Sequence, residues 1–182
     1  MSLTSVLSDE HRILERVLTA LEEAVAKMER GQTVRVGFFL DAAEFIRGFA
    51  DGCHHRKEEG ILFPAMMGHG FPMTSGPLAV MLGEHEQARG HARAMREAAE
   101  ALGRGDRAAA ELVTTSARAY ATLLRQHIQK EERALFPMAE SAITATKHAP
   151  LIAELEQSAR ETRAACEKYV GIADALRSEM SN

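Results

Sequence analysis

The chain carries the same set of metal-ligating residue types twice, once in each half. Each copy has a single histidine, a gap of 42 or 43 residues, and then a histidine followed four positions later by a glutamate. The six residues are His11, His54 and Glu58 in the first half and His85, His127 and Glu131 in the second. Side chains four residues apart in a helix lie on one face, about 40° apart, so both can reach one ion. The pattern predicts a metal site of four imidazoles and two carboxylates.

A longer repeated phrase surrounds the second histidine of each copy. Residues 54–64, HHRKEEGILFP, align with residues 127–137, HIQKEERALFP. A glutamate also precedes the first histidine of each half, as Glu10 and Glu84. The repetition indicates two similar helix pairs related by a pseudo-twofold axis through the site.

A second His-xxx-Glu pair, His55 with Glu59, competes with the first in the same register. The repeat favours His54, because His54 aligns with His127 whereas His55 aligns with Ile128. The remaining histidines are therefore predicted to be surface or loop residues: His55, His69, His91 and His148. The charged neighbours in the phrase are predicted to face outwards: Lys57, Glu59, Lys130 and Glu132.

The mixture of donors predicts which metals the site would take. Imidazole nitrogens with carboxylate oxygens suit iron, manganese or zinc, whereas calcium and magnesium prefer oxygen alone. Six protein ligands exceed one tetrahedral zinc site but suit two ions. We expect two iron ions (Fe2+/Fe3+) with a bridging oxo or hydroxo group, for which zinc or manganese could substitute. The assignment places His11 and His54 on one ion, His85 and His127 on the other, and Glu58 and Glu131 between them.

Composition and charge narrow the class of protein. The chain has 182 residues, is 46% hydrophobic with no Trp, and has a net charge of −4. It has no basic stripe, so nucleic acid is not an expected partner. No apolar run approaches the roughly 20 residues that span a bilayer, and no export signal is visible near Met1. With Cys53 and Cys166 interpreted as two reduced thiols, the predicted location is cytoplasmic.

The apolar pattern predicts an all-α protein. Apolar residues recur every three or four positions over about 5–30, 34–63, 76–102 and 107–137, and the candidate ligands lie on these stripes. Short glycine-containing links favour an up-down antiparallel four-helix bundle. We expect residues 1–145 to form the metal-binding domain and residues 146–182 to form an additional C-terminal helix packed on the bundle. Pro64 and Pro137 lie at the predicted ends of the second and fourth helices.

These residues resemble the hemerythrin-like HHE cation-binding family. The resemblance covers about residues 5–140 and rests on the doubled H-xxx-EE-xx-LFP phrase. It implies a four-helix bundle with a non-haem di-iron centre. The six ligand assignments made above carry over position by position.

Arg89 marks a departure from the oxygen-carrying hemerythrins, which resemble this chain but have a further histidine at that place. Arginine cannot ligate a metal, so the ion held by His85 and His127 is expected to have fewer nitrogen donors, which disfavours reversible oxygen carriage. Glu15, at the matching place in the other half, would be a seventh ligand or, as we favour, a partner of Arg89. Tyr120 is interpreted as a bundle residue with its hydroxyl near solvent rather than as a redox group.

The site favours one function and leaves an alternative open. The favoured function is a protein that binds, senses or handles dioxygen, nitric oxide or iron. The alternative is a di-iron enzyme acting on peroxide or nitric oxide. A purely structural metal is disfavoured, because closed structural sites use all their coordination positions on protein ligands. The chain shows no nucleophile with a base, no phosphate loop and no cofactor motif, so no catalytic residue is assigned. No protein partner is indicated.

Overall fold

Five helices account for nearly all of the residues that the structure describes. The structure is a computed structural model and describes residues 2–181, among which no strand occurs. The helices are α1, Ser5–Glu29; α2, with consecutive segments Val36–Phe45, Ile46–His55, Glu58–Leu62 and Phe63–Met67; α3, Gly76–Gly103; α4, with segments Ala109–Lys130, Glu131–Leu135 and Phe136–Ala142; and α5, Ala145–Ser181. The predicted all-α class and the bundle with an added C-terminal helix are confirmed.

Helices α1 to α4 form a closed ring around one interior. α1 packs against α2 and α4, and α3 packs against α2 and α4. The links between consecutive helices are short, which is typical of antiparallel neighbours. The predicted apolar stripes face the interior, since Leu14, Leu18, Met95 and Leu124 are at most 1% exposed.

A polar layer divides the hydrophobic core into two clusters. In α1, Leu7 belongs to one cluster and Leu14 to the other, and His11 lies one turn from each. His85 occupies the equivalent place in α3. The candidate ligands are therefore enclosed above and below by apolar side chains, which limits the access of water.

α2 and α4 widen at equivalent points just before a proline. The segments Glu58–Leu62 and Glu131–Leu135 are π-helical and lead directly into the segments that contain Pro64 and Pro137. A proline lacks an N–H, and in an α-helix its ring would clash with the carbonyl of the preceding turn, so a wider turn accommodates it. The prolines end neither helix, and the predicted end of α2 near residue 63 is too early.

A further π-helical stretch, Ile46–His55, distinguishes α2 from α4. The equivalent part of α4 is α-helical, within Ala109–Lys130. A π turn holds more residues than an α turn, so neighbouring side chains are separated by a smaller angle. His54 and His55, at the end of the stretch, both turn inwards and are each 1% exposed.

The fifth helix lies along the face formed by α1 and α2. Leu155 and Leu176 bury their side chains there. Tyr169 packs so closely on Gly48 of α2 that an added Cβ would overlap its ring. Gly48 is therefore required for α5 to approach the π-helical stretch of α2.

A disulfide joins Cys53 of α2 to Cys166 of α5, so the prediction of two reduced thiols is wrong. The cysteines are 113 residues apart, and their pairing depends on where α5 lies, which sequence spacing does not specify. Because disulfides persist mainly in oxidising surroundings, the cysteines no longer favour a cytoplasmic location. Within residues 2–181, no helix is both long and apolar enough to cross a membrane.

Candidate metal centre

The six predicted ligand residues lie together in the polar layer, and none is more than 2% exposed. Their imidazoles form two pairs. Nε2 of His11 lies 3.1 Å from Nε2 of His54, and Nε2 of His85 lies 3.1 Å from Nε2 of His127. Each pair joins neighbouring helices, α1 with α2 and α3 with α4, as the repeat predicts.

The two glutamates each extend one oxygen towards each imidazole pair. In Glu131, Oε2 is 3.1 Å from Nε2 of His11 and Oε1 is 3.0 Å from Nε2 of His127. In Glu58, Oε1 is 3.7 Å from Nε2 of His54, and Oε2 is 3.4 Å from Nε2 of the α3 histidine. Both carboxylates thus lie between the pairs, where a bridging ligand would have to lie.

His55 is a fifth buried imidazole in the site, so its predicted surface position is wrong. Its ring stacks on His85 with centroids 3.9 Å apart and meets His127 edge-on at 5.9 Å. With these two residues and Glu58 it forms a group whose ligand atoms lie within 4.8 Å of one another. A second such group consists of His11, His54, Glu58 and Glu131. The prediction failed because it assumed the same helix geometry in both halves.

The remaining histidines belong to neither group, in line with their predicted positions. His69, His91 and His148 are only partly buried. His69 and His148 instead donate to backbone carbonyls nearby, those of Ala65 and Ile143, at 2.8 and 2.9 Å.

Each of the four paired histidines is held at Nδ1 by a glutamate from the preceding helix of the ring. The pairs are His54 with Glu10 (3.1 Å), His85 with Glu59 (2.7 Å), His127 with Glu84 (2.9 Å) and His11 with Glu132 (2.6 Å). The glutamates thus reach from α1 to α2, α2 to α3, α3 to α4 and α4 back to α1. With Nδ1 donating to a carboxylate, the lone pair of each Nε2 faces the interior, as metal-binding histidines require.

Glu59 and Glu132 are therefore partners of the site histidines, and their predicted outward-facing role is wrong. Their side chains are 32% and 39% exposed, so they lie at the boundary between the site and solvent. The sequence carried a signal for them, because each directly follows an inward-facing glutamate. Consecutive residues of a helix point in different directions, so the second side chain can be directed towards the next helix.

The phenylalanines of the repeated phrase support the first histidine of the opposite half. Phe136 stacks on His11 with centroids 5.5 Å apart, and Phe63 stacks on His85 at 6.0 Å. Both phenylalanines belong to one of the hydrophobic clusters, and their rings form the surface of that cluster that faces the imidazoles.

The lysines of the phrase pair with the glutamates that precede the first histidines. Lys57 donates to Glu10 at 2.8 Å, and Lys130 donates to Glu84. Lys130 is partly exposed, but Lys57 is 1% exposed, so its predicted outward position is wrong. Both lysines hold a carboxylate that in turn holds a histidine.

Arg89 connects three acids at the edge of the site. Its guanidinium donates to Asp51 at 3.0 Å, to Glu59 at 2.8 Å and to Glu86 at 2.6 Å. The same Asp51 oxygen accepts from Nδ1 of His55 at 2.9 Å. α2 thus brings a third imidazole, that of His55, to the side where α3 carries Arg89. More nitrogen donors therefore lie near His85 and His127 than the sequence led us to expect.

Glu15 and Tyr120 are placed differently from the predictions. Glu15 is exposed on α1 and belongs to neither ligand group, so neither a ligand role nor a pairing with Arg89 is found. Tyr120 is 1% exposed, and its hydroxyl has no hydrogen-bond partner within residues 2–181. Burial raises the pKa of Tyr120 well above its ordinary value, and the charge of Asp51 adds to the shift.

Burial and opposite charges set the pKa values of the site. Burial lowers the pKa of His11 and His85, but carboxylates, chiefly Glu131 and Glu58 respectively, more than offset this and raise both to about 9. Burial, helped by neighbouring cationic imidazoles, lowers the pKa of His55 well below 6.5. Burial opposes ionisation of Glu131, yet the imidazoles beside it hold its pKa well below the ordinary value. Without metal, protonated imidazoles therefore neutralise the buried carboxylates.

Several buried polar atoms of the site have no hydrogen-bond partner within residues 2–181, which is consistent with a site that holds metal ions. Among the described residues, both oxygens of Glu58, both oxygens of Glu131 and Nε2 of His55 are buried without a regular hydrogen bond. Buried carboxylates of this kind are costly unless cations meet them. Nitrogen and oxygen donors converge at two places, and this set suits iron, manganese or zinc.

A helical bundle with a buried layer of histidines and carboxylates is typical of cation-binding proteins. The family model described as the hemerythrin HHE cation binding domain matches residues 2–139, and the chain belongs to this family. The resemblance stated from the repeated phrase is thereby confirmed. Neither a curated protein nor a solved structure matches the chain.

Proposed function

We propose that this protein is a non-haem di-iron protein that binds, senses or handles dioxygen, nitric oxide or iron. The observation that carries the proposal is the pair of buried glutamates. Each directs one oxygen to each imidazole pair, and none of the four oxygens has a regular hydrogen bond among the described residues. Two cations would satisfy all four oxygens at once.

The proposed ligands divide unequally between the two ions. His11 and His54 would hold one ion, and His55, His85 and His127 the other, with Glu58 and Glu131 bridging. When bound, iron would supply reversible Fe2+/Fe3+ chemistry and affinity for small ligands, with an oxo or hydroxo group as a third bridge. The two-histidine side has fewer nitrogen donors, so we expect a small ligand such as dioxygen, nitric oxide or peroxide to bind there.

The surrounding residues orient the site histidines as metal ligands. The glutamates at Nδ1 fix the orientation of the four paired imidazoles and increase their basicity, and Asp51 does the same for His55. The two apolar clusters keep bulk water away, which strengthens the electrostatic interactions inside.

Metal analysis with an optical spectrum, recorded first without oxygen and then in air, tests the proposal. We expect two irons per chain and a change in the spectrum when air is admitted. His91→Ala, which alters a histidine outside both ligand groups, should retain both ions. Saturation at one ion per chain, or failure to bind iron, would refute the proposal. Turnover of added peroxide or nitric oxide by the loaded protein would identify the enzyme as the correct alternative.

A further inference from the structure

A cleft of about 230 Å³ opens between α2 and α3. Its walls carry four arginines, Arg47 of α2 and Arg89, Arg93 and Arg96 of α3. Asp51, the partner of His55, lines the same cleft. This concentration of guanidinium groups contrasts with the net charge of −4 of the chain. A concave surface on which one sign of charge predominates concentrates ions of the opposite sign.

Three of the four guanidinium groups are available to a ligand. Arg93 is exposed and has no ion pair with any residue in the described range 2–181. Arg47 pairs with Glu44 at 2.7 Å and Arg96 with Glu100 at 3.0 Å, each within its own helix, and these arginine side chains are 66% and 51% exposed. Exposed pairs of this kind contribute little to stability, so a bound anion can replace the glutamates.

The fourth arginine links the cleft to the histidines. Arg89 Nε donates to the oxygen of Asp51 that also accepts from His55, at 3.0 and 2.9 Å. A second Arg89 nitrogen donates to the oxygen of Glu59 that also accepts from His85, at 2.8 and 2.7 Å. A ligand that draws Arg89 away from these acids would alter how both histidines are held.

We propose that this cleft binds a small oxoanion and that binding changes how Asp51 and Glu59 hold His55 and His85. Guanidinium groups are planar donors that match the paired oxygens of an oxoanion. The cleft is smaller than the roughly 300–1,000 Å³ of sites for drug-sized ligands, which favours an ion of the size of inorganic phosphate. Phosphate oxygens would replace Glu44 and Glu100 and compete with Asp51 for the fourth arginine.

Calorimetric titration of the full-length, metal-loaded protein with inorganic phosphate tests the binding site, with sodium chloride of equal ionic strength as the blank. We expect one phosphate per chain. Arg93→Ala should weaken binding about tenfold, the effect of losing one charge-assisted hydrogen bond, and Arg93→Ala with Arg96→Ala should abolish it. Arg163→Ala, an exposed arginine of α5, is the matched control and should bind as the wild type does. Absent saturable binding, or equal binding by the double variant, would overturn the site.

The link to the histidines needs a second measurement. Saturating phosphate should shift the imidazole nitrogen NMR signals of His55 and His85 in the metal-free protein. In Asp51→Asn, phosphate should still bind but the His55 shift should shrink. Binding without any shift in the wild type would overturn the link while leaving the site. The titration is repeated on the metal-free protein, on which the NMR is also recorded, so failure of the di-iron proposal is distinguishable from failure of this one.

Discussion

The two histidine groups arise from the same repeated phrase, yet one has two imidazoles and the other has three. His11 and His54 face each other across α1 and α2, and His85 and His127 do so across α3 and α4 at the same 3.1 Å separation. Only the second group gains His55. The position equivalent to His55 in α4 is Ile128, which packs in the hydrophobic core. The π-helical stretch of α2, together with a histidine at position 55, therefore makes the two sides of the site unequal.

The other differences between the halves also centre on α2. Asp51 holds His55, and Arg89 holds Asp51 and Glu59, whereas α1 carries an exposed glutamate at the place equivalent to Arg89. The disulfide fixes α5 to α2 and not to α4. We infer that the shared residues build the two ion positions and that α2 determines how the positions differ.

The largest effect should come from the two glutamates that extend one oxygen to each imidazole pair. Glu131→Ala or Glu58→Ala removes one oxygen from each side, so we expect both ions to be lost rather than one. The histidines left behind would share only one of the two central carboxylates, and the free energy of unfolding should fall by about 3–5 kcal/mol. Metal analysis and urea unfolding measure both effects. Glu97→Ala, an exposed glutamate of α3, is the control. Retention of two ions by either variant would contradict the bridging role.

A smaller and one-sided effect is expected from His55. His55→Ala should reduce the metal content from two ions to one, because only the group with His85 and His127 loses a donor. Ile128→Ala changes the equivalent residue of the other half and should retain both ions. The optical spectrum of each variant would show whether the remaining ion is that of the two-histidine side. Two tightly held ions in His55→Ala would show that the halves are functionally alike.

His55 also marks the limit of what the sequence could predict. Helical spacing and the internal repeat are both visible in sequence, and they are enough to predict the fold and to predict that the six candidate ligand residues lie together. The π-helical stretch of α2 is a shift in backbone hydrogen bonding that depends on packing, so alignment with Ile128 misplaced His55. Glu59 and Glu132 were visible as doubled glutamates, but their partners lie on other helices. The Cys53–Cys166 pairing needed the position of α5.

Loss of the disulfide should destabilise the half that contains α2. Cys166→Ser removes a cross-link between residues 113 positions apart, and the free energy of unfolding should fall by about 2–4 kcal/mol. The metal content should remain at two ions, but a chelator should remove them faster, because α2 carries both His54 and His55. Glu167→Ala, the exposed neighbour, serves as the control. Unchanged stability and release rate would show that α5 does not constrain α2.

The effects of pH on the metal-free protein separate the histidines by sign. In the metal-free protein the pKa values of His11 and His85 are raised from 6.5 to about 9. Their contribution to stability is fully present below pH 6.5 and is lost as the pH rises through about 9. The pKa of His55 is lowered well below 6.5. Below pH 6.5, His55 therefore takes up a proton in the unfolded chain while it remains neutral in the folded chain. Stability therefore falls on that side too, and the metal-free protein should be most stable near pH 6.5.

Bound metal should remove the loss of stability above pH 6.5. The losses above and below pH 6.5 can each be tested separately. Ions bind deprotonated imidazoles, so the metal takes over the neutralisation of Glu58 and Glu131 that protons provide in its absence. Between pH 6.5 and 9 the melting temperature of the metal-free protein should fall, and the increase on adding metal should become larger. In metal-free His55→Ala the loss below pH 6.5 should weaken while the loss above it persists. A melting temperature that rises from pH 6.5 to 9 without metal would mean that protons on His11 and His85 do not stabilise the site.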